Sequence, residues 1–432
     1  MGNLLITPRS VLMSDSFKGG GTLKRNLVLA LALACVFATA VASHAGTELG
    51  VSWSNGLLLQ SEDKSFKLKV GGRIQNDWAW FSQDDSNEVY YGNIQDGTEF
   101  RRARLALSGT VYNYILFKAE FDFAGAAKAG KEVSYKDVYM GIAGIPYVGT
   151  IQMGHQKEPI GLEVLTSDDY VTFMERAPLT ALLPERNTGF RQQNAFGNDR
   201  VTLTTGVFRD TDDGGRNSGD GDYAGTARLT ALPWTNEEKG GLIHLGGAFS
   251  HRNPGADVSY ESRPSAHLAP VFVGAEGAAD AVNLIGGEGA VCYGPCRVQA
   301  EYVMSSIDAA EAGDPSFMGY YAYASALLTG ERYKYRKSEG VFEQVEPKKN
   351  FRQDGSGVGA WEAGIRYAFL DLNDQEIYGG ELTDITVGLN WYMTPNARMM
   401  FNYVNSSVEN VGSDGTDAGS ANIFQTRFQI FF

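Results

Sequence analysis

Cations recur at every second position in several stretches of this chain: Lys67, Lys69 and Arg73, then Arg102 and Arg104, with Lys118, Arg228, Arg366, Arg398 and Arg427 on the same parity of their own segments. Successive side chains of an extended strand point to opposite faces, so cations spaced by two stand on one side. A row of this kind either attracts anions or braces a sheet by pairing with acids on neighbouring strands. Asp77, Glu120, Asp122, Glu301 and Glu362 share the face, half as many as the ten bases. The excess predicts a surface that modestly favours anions, felt only within the screening length of about 8–10 Å.

Other chemistry-bearing residues are sparse. Cys292 and Cys296 flank Tyr293-Gly294-Pro295 and are candidates for a disulfide across a tight hairpin if their cross-strand geometry suits it. As a metal or redox pair they lack further ligands. His155 falls on the outward parity with Ile151 and Met153, where an outer-membrane lipase site could sit. A rim or subunit-contact role suits a lone outward histidine better, and no Gly-x-Ser-x-Gly turn occurs. The segment 210–222 is rich in Asp and Gly but misses calcium-loop spacing. No enzyme, metal or cofactor is expected.

The elements that carry the cations are strands whose other face is apolar. Phe66, Leu68, Val70, Ile74, Trp78 and Trp80 alternate with Lys67, Lys69, Arg73, Gln75 and Asp77. The pattern returns around residues 103–111, 115–123, 385–391 and 399–403, and ends on Phe424, Phe428, Ile430 and Phe432 against Gln425, Arg427 and Gln429. A soluble sandwich also alternates, but with strands of about five or six residues. These run nearer ten to twelve, the length of a tilted span with its apolar face toward lipid. Trp78, Trp80, Phe100, Trp361, Trp391 and Tyr392 near segment ends fit interfacial girdles.

Short connections (112–113, 144–148, 197–199, 394–396) alternate with long ones (82–99, 157–186, 210–222, 253–280, 409–420), as a membrane barrel requires. Counting through them predicts a sixteen-stranded antiparallel transmembrane β-barrel. Only Glu331 to Gly359 resists placement, being long where a short turn is due. Sixteen strands enclose a water-filled channel, so passage of small hydrophilic solutes is the expected function. A closed, non-transporting barrel is the third class, after channel and enzyme.

Composition agrees: 12% aromatics, 3 cysteines and a formal charge of -14 exclude a disordered tail, a disulfide scaffold and a nucleic-acid binder. Lys24 and Arg25 precede an apolar run from Asn26 to Ala42 that ends at Ser43-His44-Ala45, which reads as a secretory signal over residues 1–45. Its loss removes four bases (Arg9, Lys18, Lys24, Arg25) and one acid (Asp15), so the exported chain, 46–432, carries -17.

Six motifs together resemble the phosphate-selective outer-membrane porins of Gram-negative bacteria: Gly71-Gly72-Arg73-Ile74-Gln75, Phe100-Arg101-Arg102-Ala103-Arg104-Leu105, Gly161-Leu162-Glu163 with Thr166-Ser167 and Glu175-Arg176, Leu328-Thr329-Gly330-Glu331, Gly359-Ala360-Trp361-Glu362, and Gly388-Leu389-Asn390-Trp391-Tyr392. The resemblance implies an outer-membrane homotrimer in which each pore is narrowed by an infolded third loop, here 157–186. It also implies an arginine ladder, matched by Arg73, Arg101 and Arg102, and constriction positions matched by Ser167 and Arg176. This chain departs from the pattern in having Val164, Asp168 and Asp169 where phosphate-binding members carry Lys, Ser and Lys. The segment 253–291, which bears much of the ladder in those members, holds one Arg and five acids. Two carboxylates at the narrowest point predict weakened recognition of phosphate, and the choice among anions stays open. The partners expected are the lipid bilayer, further copies of the chain and small anionic or hydrophilic solutes, with no nucleic acid.

Overall fold

The computed structural model describes residues 49–125, 133–255, 257–309 and 313–432. The leader read at 1–45 lies outside the described residues. A hairpin of β1 (Leu49–Trp53) and β2 (Leu57–Ser61) precedes the wall. The wall then runs β3 (Phe66–Gln83), β4 (Gly97–Val111), β5 (Ile115–Asp122), β6 (Ser134–Ile145), β7 (Gly149–Lys157), β8 (Arg186–Phe196), β9 (Val201–Arg209), β10 (Tyr223–Asn236) and β11 (Gly241–Asn253). After a small hairpin of β12 (Asp257–Ser262) and β13 (Val273–Ala278) come β14 (Ala281–Tyr293), β15 (Cys296–Asp308) and β16 (Ser316–Leu327). A two-rung ladder of β17 (Tyr335–Arg336) and β18 (Val341–Phe342) separates these from β19 (Ala360–Asp374), β20 (Ile377–Thr394), β21 (Ala397–Val411) and β22 (Gly419–Phe431).

Sixteen of these strands pair in antiparallel sequence order, and β22 pairs with β3 to close the ring. Closure leaves the wall no unpaired edge, which hydrocarbon would penalise by several kcal/mol per exposed backbone group. Where β22 stops opposite Arg73, β2 takes over, pairing Leu57 with Val70. Gly72 and Phe432 exchange backbone hydrogen bonds of 2.7 and 2.9 Å at that junction. A Cβ on Gly71 would stand 2.6 Å from the Phe432 carbonyl oxygen, so only glycine lets the two segments approach this closely.

The wall is inside-out relative to a soluble protein. Along β22, Gln425, Arg427 and Gln429 are 2% exposed or less, while Phe424, Phe428 and Ile430 are 39–48% exposed. Charge faces the lumen and hydrocarbon faces outward, the polarity that a bilayer selects. Outward rings stack across strands, Trp80 on Phe424 and Trp361 on Trp391 at 5.7 and 5.4 Å. Tyr392 departs from the girdle expectation: it takes the inward parity and bonds to Glu362 at 2.6 Å.

Three segments fold into the lumen. From the long-loop end, 158–185 and the β12–β13 hairpin bury Ile160, Val164, Phe173, Leu179, Tyr260 and Val273 against Val303, Phe317, Leu370, Val404 and Ile423 of the wall. Each such large side chain removed from water contributes about 1.5–3 kcal/mol. From the short-turn end comes 328–359, which contains the stretch Glu331 to Gly359 that periodicity could not place. Its Tyr333, Val341, Phe342 and Val345 pack with Leu162, Cys292, Leu327 and Tyr392. The lumen is thus partly filled rather than an open bore, because inward positions of β14–β22 are apolar near the long-loop end.

The cysteine pairing expected from spacing does not occur. Cys292 stands opposite Arg297 and Cys296 opposite Tyr293, so the two thiols lie on adjacent rungs and face opposite sides. Cys292 is buried in the lumen, Cys296 is exposed, and both are free. Accordingly, one thiol of the folded barrel should react with a bulky maleimide and two after denaturation, with no mass change on reduction. A disulfide mass deficit would contradict this register. Gly71→Val should weaken the seam by about 1–3 kcal/mol, read as a lower temperature for conversion of the heat-modifiable electrophoretic band.

Candidate functional site

The site grows from the wall arginines and the loop 158–185 that they hold. On β19, β21 and β22, register puts Arg366, Arg398 and Arg427 inward as expected, but the loop covers them and they are at most 2% exposed. Arg366 donates to Glu163 Oε1 at 3.3 Å and to the Glu175 carbonyl at 3.0 Å. Arg398 donates to the carbonyls of Val171 and Asp168 at 2.7 and 3.3 Å. Arg427 grips Asp77 and Glu175, each at 2.6 Å, and donates to the Met174 carbonyl. These three fasten the loop rather than line a path, because its carbonyls and carboxylates reach them before water does.

The loop's entrance is fixed from the opposite side of the charge ledger. Glu301 on β15 accepts the backbone N–H groups of Leu162 and Glu163, both at 2.7 Å. Arg101 reaches the loop through a β-bulge. Gln75 pairs with Arg102 but Asn76 pairs with Phe100, which leaves Arg101 as the extra residue. Its side chain bonds Glu175 at 2.9 and 3.0 Å. A strict period of two would have sent it toward lipid, so only the resemblance had pointed to it.

Asp168 is the centre of the next layer. Its Oδ2 lies 3.0 Å from Arg102, 3.1 Å from Arg104 and 3.7 Å from Arg73, and its Oδ1 lies 2.5 Å from Arg176. Burial opposes its ionisation, yet the guanidinium groups of Arg102, Arg176 and Arg104 hold its carboxyl well below the usual carboxylate range. Asp169 pairs with Arg73 at 3.1 Å, and Ser167 shares a 3.3 Å hydrogen bond with Asp169. Arg176 also donates to the carbonyls of Glu163 and Thr166 at 2.9 and 3.1 Å, so it ties the loop to itself.

Three adjoining cavities lie along the wall from β3 to β10 beside the insert 328–359, and the two smaller ones also meet this loop. The largest, about 690 Å³, holds Lys67 and Lys69 at the short-turn end. The second, about 440 Å³, shares Lys69 with it and adds Arg73, Lys118 and Arg336. The smallest, about 260 Å³, lies beside Ser167 and Asp168 and reaches Arg186, Arg191 and Arg228. Together their linings carry eleven bases and seven acids. Most of the bases are matched. Lys118 contacts Glu120 and Asp137 at 2.8 and 2.6 Å, Arg104 meets Asp122 at 2.6 Å, Arg228 meets Glu288 at 2.6 Å, and Arg336 meets Glu343 at 2.6 Å.

Lys67, Lys69, Lys157 and Arg191 form no ion pair with a carboxylate among the described residues, and Lys157 donates instead to the carbonyls of Val164 and Thr166. Among the described residues the Arg191 side chain donates to the Gln193 side chain, and its Nε has no hydrogen-bond partner there. Arg191 was missed from sequence because β8 reads Arg-Gln-Gln-Asn, without the apolar alternation that would have set its register. The insert contributes the remaining wall of the path: Gln193 bonds the Ser338 carbonyl at 2.8 Å, and Arg228 bonds the Gly340 carbonyl at 2.8 Å. His155 keeps its outward parity but is buried beneath the segment 210–222, its Nδ1 lying 3.3 Å from the Thr211 hydroxyl.

Residues 68–432 match the family of phosphate-selective porins O and P. Porin O of Pseudomonas aeruginosa is 27% identical over 450 residues, which cover 94% of this chain and 97% of that protein. The fold is shared with an anion-selective porin from Comamonas acidovorans, at a TM-score of 0.53 and 12% identity over 85% of this chain and 100% of that one. It is shared also with OmpT, an outer-membrane protein of Vibrio cholerae in its trimer form, at a TM-score of 0.50 and 12% identity over 85% and 100% of the two chains. With its closed ring, lipid-facing hydrocarbon and charged lumen, this chain belongs to the phosphate-selective porin O and P family and is an outer-membrane channel of the Gram-negative type.

Proposed function

We propose that this porin passes small hydrophilic solutes by diffusion with a modest preference for anions, and that it does so without a seat for phosphate. One observation carries the reading: the cavity linings hold four cations, Lys67, Lys69, Lys157 and Arg191, that form no ion pair with a described carboxylate. Paired arginines add little net field at the distance of a passing ion, whereas an unpaired one acts over the whole screening length. Acids on the loop, Asp168 and Asp169, stand where the resemblance places a serine and a lysine of phosphate-binding members. That exchange argues for anions in general over phosphate in particular.

A homotrimer of such barrels, exported after loss of residues 1–45, completes the proposal. The trimeric form of the Vibrio cholerae protein supports the assembly. A channel is favoured over an enzyme because the histidine considered for a rim site, His155, has threonine hydroxyls as its neighbours. A weakly cation-selective channel is the second reading. It is favoured by an outer cavity of about 360 Å³ lined by Glu185, Asp210, Asp222 and Asp257 against Arg186 and Arg252.

Zero-current potentials across a planar bilayer under a KCl gradient decide between them. The wild-type chain should give stepwise currents with chloride the more permeant ion. A unit charge about 7 Å from an ion in bulk-water dielectric is worth about 0.6 kcal/mol before screening. Arg191→Gln and Lys69→Gln should therefore each lower the chloride-to-potassium permeability ratio by up to about threefold. Potassium preference in the wild type would favour the second reading, and an unchanged ratio in both variants would take these cations out of the ion path.

A further inference from the structure

We propose that Asp168 is a tethered counter-anion: its carboxylate fills an oxyanion seat built by Arg73, Arg102, Arg104 and Arg176, and neutralising it turns that seat into a binding site for inorganic phosphate. The inference rests on the channel reading above and goes further, since it says what the arginines around the loop bind in place of a dissolved anion.

Four guanidinium groups converge on one carboxylate at 2.5–3.7 Å, two of its contacts on Oδ2 being 3.0 and 3.1 Å long. Planar guanidinium forks match carboxylate and phosphate alike, so the seat is specific for an oxyanion whether that anion arrives on the chain or from solution. A ligand carried on the same loop has an effective concentration that dilute free phosphate does not reach. The arginines differ in what they would keep without it. Arg73 retains Glu120 and Asp169, and Arg104 retains Glu120 and Asp122. Arg176 retains Glu185 at 3.5 Å and its carbonyls. Arg102 would keep only the Gln75 side chain, at 2.8 Å, leaving a buried cation without a described carboxylate. The cavity of about 260 Å³ that Asp168, Ser167 and Arg73 line gives a solute access to the seat.

The test uses the full chain folded in detergent, as wild type, Asp168→Asn, Asp168→Glu and the neutral swap Asp168→Asn with Arg102→Gln. Two readouts are taken with and without inorganic phosphate: chloride current in a planar bilayer, and the temperature at which the heat-modifiable band converts. At the concentration that half-blocks Asp168→Asn, phosphate should leave both unchanged in the wild type and in Asp168→Glu. In Asp168→Asn it should block the current at a concentration at least about tenfold lower than in the wild type and raise the conversion temperature. The double variant should lose both effects. If Asp168→Asn folds only when phosphate is present during refolding, that dependence also supports the seat. Block of the wild type at the same concentration as the variant, a folded Asp168→Asn indifferent to phosphate in both readouts, or failure of phosphate to restore its folding would each overturn the proposal. Loss of wild-type conductance would sink the channel reading alone, because the thermal readout needs no current.

Discussion

An arginine that faces a narrow lumen must be met by a carboxylate, a carbonyl or water, and the loop 158–185 supplies the first two. Arg366, Arg398 and Arg427 each bind loop carbonyls from separate strands, while Glu301 takes two of its N–H groups from a fourth. Ion pairs buried this way add little net stability, since desolvation offsets attraction. Their effect is to select one placement of the loop among many. Stability comes instead from the apolar side chains that the same loop lays against β15, β16, β19 and β21.

That division of labour explains why formal charge is a poor guide to selectivity here. The chain is acidic, with a formal charge of -14, and most lumen arginines are paired within hydrogen-bond distance. On the proposed reading, an ion senses the residue of this cancellation, concentrated on the side of the lumen bounded by β3 to β10. The other side is closed by packed loops, so the cavities lie off-centre, and Tyr139, Gln152 and Gln193 line the largest of these three beside Lys67 and Lys69.

The wall was legible in the sequence because the bilayer imposes a strict period of two, and residues such as Phe424 and Arg427 obey it through the last strand. Legibility failed where another constraint overrode that period. The bulge at Arg101 adds one residue and flips a parity that counting would preserve. The insert 328–359 follows no period because it packs within the barrel and not along it. Cys292 and Cys296 invited a disulfide by proximity, but hairpin rungs place them back to back. Contacts such as Arg366 with Glu163 span some two hundred positions, and nothing local announces them. The inward direction of most of these side chains was therefore legible from parity, but their division into loop contacts and unpaired cations required the fold.

The junction of β22 with β3 joins residues as distant as Asp77 and Arg427, 350 positions apart. Nearly the whole polypeptide must therefore be across the inner membrane before the cylinder can be sealed. Until then some sixteen ribbons with greasy faces are in water with a free edge at each end, a hazard for aggregation. A chain with this seam is exposed to that hazard for as long as its last strand is unpaired, so the pace of sealing counts beside the depth of the final energy well.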